Sequence, residues 1–194
     1  MVRTILFVCT GNTCRSVMAE TILRHLLQQR TEKLPFQVSS AGLAAVEGSP
    51  PTEKTEKVLG EEGFQATNHS SRRLQRELIE GADLILTMTG AHKERVEDLL
   101  EQEGLSREVY TLKEFASSRE RERKKRRLRE LKQRMAREED TASEEEILAL
   151  EEALFDLDIQ DPFGGSLESY RFSLQEIREA LEALVEKLLE MEDN

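Results

Sequence analysis

Long apolar runs, a cysteine framework and clustered histidines are all missing from this sequence, and each absence excludes a class of protein. No apolar run approaches the roughly 20 residues that span a bilayer, so no membrane association is predicted. The two cysteines, Cys9 and Cys14, stand five positions apart, which excludes a disulfide scaffold. The three histidines, His25, His69 and His92, are scattered and the carboxylates show no ligand spacing, so neither a metal nor another cofactor is expected.

The charge balance argues against nucleic acid as a partner. Charged residues make up 35% of the 194 residues, and the formal net charge is −11, which repels a phosphate backbone. The length suits one domain with a substantial core. The first residues carry no basic-then-apolar signal pattern, and two cysteines are few for a secreted protein of this size. These features predict a cytoplasmic protein.

The stretch that carries chemistry lies near the amino terminus. A strand pattern over residues 4–8 runs into Cys9-Thr10-Gly11-Asn12-Thr13-Cys14-Arg15-Ser16, and a helical pattern follows to about residue 30. A strand that turns into a helix through a short loop points free backbone N–H groups at one spot, which binds anions. Cys9 there is held as thiolate, and Arg15 can grip two phosphate oxygens with its planar fork. This stretch, the Cys9 loop (residues 9–16), predicts a phosphate-transfer enzyme that works through a cysteinyl-phosphate.

An inert buried cysteine at the end of a first strand is the alternative, and the other residues of the Cys9 loop argue against it. Gly11 and Asn12 are residue types that tolerate left-handed backbone conformations. Ser16 stands where a helix N-cap is expected, and its hydroxyl is also placed to donate to the Cys9 sulfur. Motif and context together favour the catalytic interpretation.

Strand and helix patterns alternate along the chain. Strands are predicted at residues 4–8, 36–40, 82–87 and 108–112, and helices at 16–30, from 50 to 60 or 63, 91–103 and 167–191. The near-continuous apolar run at 82–87 suits a strand covered on both faces. The alternation predicts an α/β fold, a three-layer doubly wound sheet of four parallel strands. Its ligand site is expected at the carboxyl ends of the strands, where the Cys9 loop falls.

A charged segment at about residues 117–158 does not fit this alternation. Arg119 to Arg137 is dominated by arginine and lysine, whereas Glu138 to Asp158 has ten acidic residues and no basic one. Two helices of opposite charge, joined near residues 140–143, would form a hairpin here. A solvated, partly disordered loop is the alternative that this composition leaves open. A functional interpretation is a docking arm for an acidic partner.

Two motifs resemble the low-molecular-weight protein tyrosine phosphatase family. They are the run from Val8 to Ser16 and Asp161-Pro162-Phe163-Gly164-Gly165, and the form of both resembles the bacterial protein-arginine-phosphatase branch. Further stretches at residues 40–42, 68–69, 82–89 and 112–115 fall in family order. The resemblance covers residues 3–115 and 161–190. It implies one phosphatase domain over residues 1–194, with the charged segment inserted before the Asp161 loop.

The resemblance also implies roles for individual residues. Cys9 would be the nucleophile, Arg15 would hold the phosphoryl group, and Asp161 would act as general acid and then as general base. Ser16 would stabilise the thiolate. The remaining substrate-binding positions would be Thr10, Gly11, Asn12, Thr13, Cys14 and Phe163, with Ser40 and His69 supporting Asn12.

Thr13 is the position that points to a substrate. A larger aliphatic residue usually stands there in the tyrosine-specific members, and threonine is characteristic of the arginine-specific branch. A hydroxyl leaves room and a hydrogen bond for a guanidinium, which Asp161 could bind and Phe163 could cover. The segment 43–49 has no aromatic residue to sandwich a phenyl ring. Phosphorylated proteins are therefore the predicted partners, with phosphoarginine favoured over phosphotyrosine.

Two other functions are disfavoured by the sequence. Arsenate reductase chemistry needs a further thiol downstream, and no cysteine follows Cys14. A non-catalytic phosphate-binding module, with the charged segment doing the work, is disfavoured by the intact Cys9, Arg15 and Asp161. Cys14 either lines the loop without consequence or pairs with an oxidised Cys9 to make activity redox-reversible. Val17 replaces the proline usual in the family, for which a small stability effect is expected.

Overall fold

Four parallel strands form the centre of the molecule. The computed structural model describes residues 3–30, 36–136 and 144–192. Its strands are β1 (Arg3–Cys9), β2 (Phe36–Gly42), β3 (Leu84–Thr87) and β4 (Val109–Thr111), in the spatial order β2-β1-β3-β4. All three pairings are parallel. The predicted parallel sheet is therefore confirmed.

Eight helices are present among the described residues, and four of them lie at or close to the helices predicted around the sheet. The helices are α1 (Arg15–Gln28), α2 (Glu53–Glu61), α3 (Arg76–Glu80), α4 (Gly90–Glu103), α5 (Leu112–Ala116), α6 (Ser118–Ala136), α7 (Glu144–Phe155) and α8 (Leu167–Glu192). The short helices α3 and α5 were not predicted. The predicted strand at 108–112 also extends too far, because Leu112 begins α5: Thr111 caps that helix in a reciprocal pair of hydrogen bonds with Glu114.

The core lies on both faces of the sheet. On one face, Ile5 and Phe7 of β1 belong to the same buried cluster as Ile22 of α1 and Ile177 of α8. On the other face, Leu6 and Val8 pack in a second cluster with residues of α4 such as Val96. Alternate residues of β1 are thus buried on opposite sides, as a sheet covered by helices on both faces requires. The three-layer, doubly wound α/β architecture is confirmed.

The described part of the charged segment is helical. Leu131 of α6 is 1% exposed, and ion pairs join α6 to α7 at Arg127–Glu146 (3.0 Å) and Lys132–Glu151 (2.6 Å). Exposed pairs of this kind contribute about 0–1 kcal/mol each, so the buried leucine matters at least as much. The predicted junction of the hairpin at residues 140–143 lies outside the described residues. Within the described ranges, no helix has the length and apolar character needed to cross a bilayer.

Candidate active site

The Cys9 loop lies between the end of β1 and the start of α1, at the carboxyl edge of the sheet. Asn12 adopts a left-handed backbone with φ 54°, as predicted. Gly11 does not have a positive φ, so the prediction of a left-handed Gly11 is wrong. The glycine that the loop requires is Gly42 at the end of β2. A Cβ on Gly42 would lie 2.6 Å from the carbonyl oxygen of Thr10 and 2.9 Å from the amide nitrogen of Asn12. Only glycine lets β2 approach the loop this closely.

The Cys9 sulfur is buried and faces two hydrogen-bond donors. The Ser16 hydroxyl lies 2.9 Å from Sγ, and the backbone N–H of Asn12 donates to it over 3.3 Å. The Asn12 side-chain amide donates to Ser16 Oγ over 3.0 Å, which leaves the Ser16 proton free to point at the sulfur. Both donors favour a negative sulfur.

The prediction that Ser16 caps the helix is wrong. The helix α1 begins at Arg15, one residue earlier than predicted, and the residue before it is Cys14, which makes no side-chain capping bond. Ser16 is therefore the second residue of the helix. Its hydroxyl turns to Cys9 instead of to the free N–H groups of the first turn.

Asn12 is held from behind by a network of buried polar groups. Its side-chain amide donates to Ser40 Oγ (2.8 Å), and His69 Nε2 donates to its backbone carbonyl oxygen (2.9 Å). These are the two supporting residues that the resemblance implied. The network also contains two residues that sequence reasoning missed. The backbone N–H of Arg72 donates to Asn12 Oδ1 (2.9 Å), and the buried carboxylate of Glu20 accepts from Ser40 Oγ.

Arg15 connects the Cys9 loop to the segment that carries Asp161. Arg15 is 3% exposed, and its guanidinium donates to Asp161 Oδ2 (2.7 Å) and to the carbonyl oxygen of Ile159 (3.3 Å). The Asp161 side chain is 52% exposed, so the carboxylate lies at the mouth of the site. Phe163, two residues on, is 71% exposed. The structure therefore joins the carboxylate of Asp161 to the arginine of the loop, and the backbone N–H of Phe163 donates to that carboxylate (3.2 Å).

The side chains of the other loop residues face different surroundings. Thr13 is half-buried, and its carbonyl oxygen is fixed by donors from Thr52 N (3.1 Å) and Thr55 Oγ1 (3.0 Å). Cys14 is buried, with its sulfur 3.5 Å from the hydroxyl of Tyr170 on α8. Burial raises the pKa of that tyrosine above its ordinary value. Both cysteines are free thiols.

The Thr10 hydroxyl is hydrogen-bonded to His92, a histidine to which the sequence analysis gave no role. His92 is 8% exposed, and its Nε2 lies 2.8 Å from Thr10 Oγ1. Burial, and then the positive charge of Arg15, lower the pKa of His92 to about 4. The imidazole is therefore neutral at neutral pH.

Chemically, the arrangement offers a thiol with donors aimed at it, a buried guanidinium and an exposed carboxylate. This set can attack a phosphoryl group, bind its oxygens and exchange one proton with a leaving group. Among the described residues, no group of three or more histidine, cysteine, aspartate or glutamate side chains is placed to hold a metal ion.

Comparison with known proteins gives consistent results. A family model described as "Low molecular weight phosphotyrosine protein phosphatase" matches residues 4–127. A protein-arginine-phosphatase of Geobacillus stearothermophilus is 34% identical over 185 residues, which cover 95% of each chain.

Two solved structures are similar over nearly the whole chain. The YwlE arginine phosphatase from Geobacillus stearothermophilus superposes with a TM-score of 0.68 at 33% identity, covering 97% of this chain and 94% of that one. A cysteine-to-serine variant of YwlE, whose active-site serine is phosphorylated, superposes with a TM-score of 0.69 at 31% identity and covers 95% of each chain.

Proposed function

The chain belongs to the low-molecular-weight phosphotyrosine protein phosphatase family, and we propose that it hydrolyses phosphoarginine in proteins through a phosphate ester of Cys9. It is a hydrolase acting on phosphorylated proteins. The observation that carries the phosphoarginine assignment is the Asp161 carboxylate, half-exposed beside Phe163 and 2.7 Å from Arg15. A carboxylate in that position matches the N–H groups of a substrate guanidinium. The relatives named protein-arginine-phosphatase support the same choice.

In the first step, the Cys9 thiolate attacks the phosphorus atom and forms an S–P bond while the P–N bond to the guanidinium breaks. Arg15 binds two of the three equatorial oxygens, and the N–H groups of the loop bind the developing charge. Asp161 gives its proton to the departing nitrogen, so arginine leaves as a cation. The phosphorylated serine in the YwlE variant supports a covalent step at the corresponding nucleophile.

In the second step, water attacks the phosphorus atom and the S–P bond breaks. Asp161, now ionised, takes a proton from the water, inorganic phosphate leaves, and Cys9 returns to the thiolate. The Ser16 hydroxyl and the Asn12 N–H, at 2.9 Å and 3.3 Å, stabilise that leaving sulfur. One carboxylate therefore serves both steps without a metal in the scheme.

We further propose that Thr13 selects the substrate. Its side chain is half-buried in the loop, and the contacts of its carbonyl oxygen with Thr52 and Thr55 hold it there. A small polar side chain leaves room for a planar guanidinium and offers it a hydrogen bond. Tyrosine phosphatase activity on the same scaffold is the alternative function, since the chemistry at Cys9 is identical.

Replacement of Thr13 tests this assignment. In Thr13→Ile, the preference for a phosphoarginine over a phosphotyrosine peptide is expected to fall by roughly 10–200-fold, because the longer apolar side chain fills the guanidinium space. Thr13→Val is the matched control, since it removes the hydroxyl and keeps the volume. Kinetics on peptides of one sequence measure both. An unchanged preference in both variants would exclude Thr13 from substrate selection.

Two further alternatives are of other classes. Arsenate reduction lacks a thiol beyond Cys14 to complete a relay. A non-catalytic phosphate-binding module has no use for the exposed carboxylate of Asp161 opposite a buried nucleophile. Multiple turnover by the wild type, and its loss in Cys9→Ser, separate an enzyme from a binding module.

We also propose that Cys14 protects Cys9 from irreversible oxidation. Peroxide would oxidise the Cys9 thiolate to a sulfenic acid, and the Cys14 thiol would then attack that sulfur, releasing water and forming a disulfide. The two cysteines share one loop, and the Tyr170 hydroxyl 3.5 Å from the Cys14 sulfur holds Cys14 in place.

Oxidation followed by reduction tests this role. After hydrogen peroxide treatment, dithiothreitol is expected to restore most of the wild-type activity, and peptide mapping should find Cys9 linked to Cys14. In Cys14→Ser the recovered fraction should fall several-fold, because Cys9 proceeds to the sulfinic acid. Equal recovery in both proteins, with no linked peptide, would contradict the proposal.

The basic helix α6 is proposed as a docking surface for an acidic segment of the phosphorylated protein. Arg123, Arg126 and Arg129 line one shallow groove, and in the described ranges none of them forms an ion pair, unlike their neighbours Arg127 and Lys132. The same groove contains Arg119 and one carboxylate, Glu122, which Arg129 attracts and Lys125 pairs with, so four guanidiniums face one acid and form a local positive patch. Such a patch steers and binds acidic segments.

Charge reversal tests the docking surface. In Arg123→Glu/Arg126→Glu/Arg129→Glu, KM for an acidic phosphorylated protein is expected to rise about 10-fold at low salt, with unchanged turnover of a small phosphoarginine peptide. Reversal of Lys57, Arg73 and Arg95, which alters net charge equally elsewhere, serves as control. Equal effects of the two triple variants would overturn the docking role. Tighter binding of RNA than of the acidic protein would also overturn it.

We propose that the protein is cytoplasmic, since the cytoplasm keeps thiols such as that of Cys9 in the reduced state that catalysis requires. We also propose that residues 1–194 form one phosphatase domain, into which the charged segment at about 117–158 is inserted. The continuous packing of α1 and α8 on one face of the sheet supports this division, since both flanks of the charged segment join the same core.

A further inference from the structure

His92 lies directly behind the Cys9 loop, and both of its ring nitrogens have a partner. It is on the first turn of α4 and is 8% exposed. Nε2 lies 2.8 Å from Thr10 Oγ1, and Nδ1 lies 2.8 Å from the hydroxyl of Thr89, the residue that caps α4. The histidine therefore bridges the phosphate-binding loop and the turn between β3 and α4.

We infer that His92 is a positioning residue, which turns the Thr10 hydroxyl so that its proton points at the bound phosphoryl group. This inference rests on the proposed function of the loop. Thr10 is exposed at the mouth of the loop, and its hydroxyl has His92 as its partner. A hydroxyl has one proton to give, so whatever occupies its lone pairs decides where that proton goes.

The neighbouring hydrogen bonds favour one tautomer of His92. Thr89 Oγ1 accepts the backbone N–H of His92 at 3.2 Å, so its own proton is available for Nδ1. With Nδ1 as acceptor, the proton of the neutral ring is on Nε2 and is donated to Thr10 Oγ1. The Thr10 proton is then free for a phosphoryl oxygen. In the opposite tautomer Thr10 would present only lone pairs to an anion, which repels it.

The turn that His92 holds also contacts the segment leading to Asp161. The N–H of Gly90 donates to Asp158 Oδ1 (2.7 Å), and the N–H of Ile159 donates to the carbonyl oxygen of Met88 (2.8 Å). Arg15 donates in turn to the carbonyl oxygen of Ile159. The Cys9 loop, the turn between β3 and α4 and the segment leading to Asp161 therefore form a closed ring of contacts. In this ring, His92 joins the turn to the loop.

The charges around the imidazole keep it neutral when the enzyme works. Arg15 of α1 faces it and, together with burial, lowers its pKa to about 4, whereas the carboxylates of Asp158 and Asp161 act in the opposite direction. Protonation of Nδ1 would remove the acceptor for Thr89 and place a second positive charge beside Arg15. The imidazole that serves Thr10 therefore stays neutral through the neutral pH range, and its hydrogen bonds with Thr89 select the tautomer.

Two amide substitutions of His92 test the roles of its two ring nitrogens separately. The terminal amide of His92→Gln reaches the position of Nε2 and can donate to Thr10, whereas His92→Asn reaches only the position of Nδ1. We expect His92→Asn to lower kcat/KM about 10–100-fold and His92→Gln to retain activity within about 3-fold. Thermal unfolding of both variants verifies that they fold.

A double-mutant cycle with Thr10→Ala is decisive. If His92 acts through Thr10, His92→Asn costs less than about 2-fold in the Thr10→Ala background. An equal loss in both backgrounds, or equal loss in His92→Gln and His92→Asn, would overturn the inference.

The cycle is measured with para-nitrophenyl phosphate and with the dissociation constant of orthovanadate, besides a phosphoarginine peptide. Coupling on the first two probes, without any phosphoarginine turnover, would refute the proposed substrate and sustain the role of His92. Phosphoarginine turnover without coupling on any probe would support the proposed substrate and refute the role of His92.

Discussion

Cys9→Ser is expected to lower kcat for phosphoarginine hydrolysis by about 10⁴-fold or more, the largest effect of any single substitution in this protein. A hydroxyl stays protonated where the thiol forms an anion, and the two donors at 2.9 Å and 3.3 Å from the sulfur position do not compensate for that difference. In the second step the alkoxide of serine is also a poorer leaving group than the thiolate of cysteine. A slow first step followed by a still slower second step should therefore trap one phosphoryl group on the substituted position, as in the YwlE serine variant.

Single-turnover kinetics and intact-protein mass measure this outcome. The fold of the variant is checked by its unfolding temperature, and the integrity of the loop by its affinity for inorganic phosphate. Undiminished turnover in the Cys9→Ser variant would contradict a covalent mechanism at Cys9. The only other cysteine in the sequence is Cys14.

Asp161→Asn is expected to lower kcat by about 10²–10⁴-fold, since both steps depend on proton transfer by this carboxyl group. The loss should be larger for phosphoarginine than for para-nitrophenyl phosphate. An arginine leaving group must be protonated, whereas nitrophenolate departs as a stable anion. The neutral amide also removes the ion pair with Arg15 at 2.7 Å, which frees that guanidinium for phosphate, so KM for para-nitrophenyl phosphate should rise little or fall. KM for the phosphoarginine peptide should rise, because the carboxylate no longer binds the substrate guanidinium.

Asp156→Asn is the matched control for Asp161→Asn. Asp156 is an exposed carboxylate five positions earlier, and it pairs with Lys113 at 3.0 Å on the surface. Its removal is expected to change kcat by less than about 2-fold, since Lys113 keeps its ion pair with Glu176 at 2.6 Å. Steady-state kinetics on the two substrates decide the matter. Equal losses of kcat for the two substrates in Asp161→Asn would exclude the residue as the general acid.

Local patterns predicted the sheet well because each strand is a short run of strand-forming residues that ends at a turn signal. The strand predicted at 82–87 begins two residues too early, since β3 forms over Leu84–Thr87, but its apolar side chains are buried on both faces as a central parallel strand demands. The short helices α3 and α5 were not predicted, because five residues complete little more than one turn and show no hydrophobic periodicity. The Thr111 and Glu114 pair was the available signal for α5.

The errors within the Cys9 loop are errors of one residue. The motif placed Cys9, Arg15 and Ser16 at one spot, yet the helix begins at Arg15, so the predicted cap at Ser16 was wrong. Helix starts depend on the hydrogen bonds of the whole loop, which residue types alone do not specify. The close approach of Gly42 to the carbonyl of Thr10 arises from the pairing of β1 with β2.

The supporting residues could not be predicted because they meet the loop across long stretches of chain. His92 stands 82 positions from Thr10, and Arg72 stands 60 positions from Asn12. Neither has a local pattern that marks it as part of the site. His92 and Arg72 reach the Cys9 loop only because the fold brings the chain after β3 and the chain after β2 close to it. The family resemblance was able to supply His69 and Ser40, since it carries such tertiary information implicitly.

Wild-type kcat/KM on two peptides distinguishes phosphoarginine from phosphotyrosine as the substrate of this phosphatase. The peptides share one sequence and differ only in having phosphoarginine or phosphotyrosine at the central position, and Cys9 is kept fully reduced. We expect the phosphoarginine peptide to be preferred by about 100-fold or more. Equal or better hydrolysis of phosphotyrosine would contradict it and would assign the same site to the tyrosine-specific branch of the family.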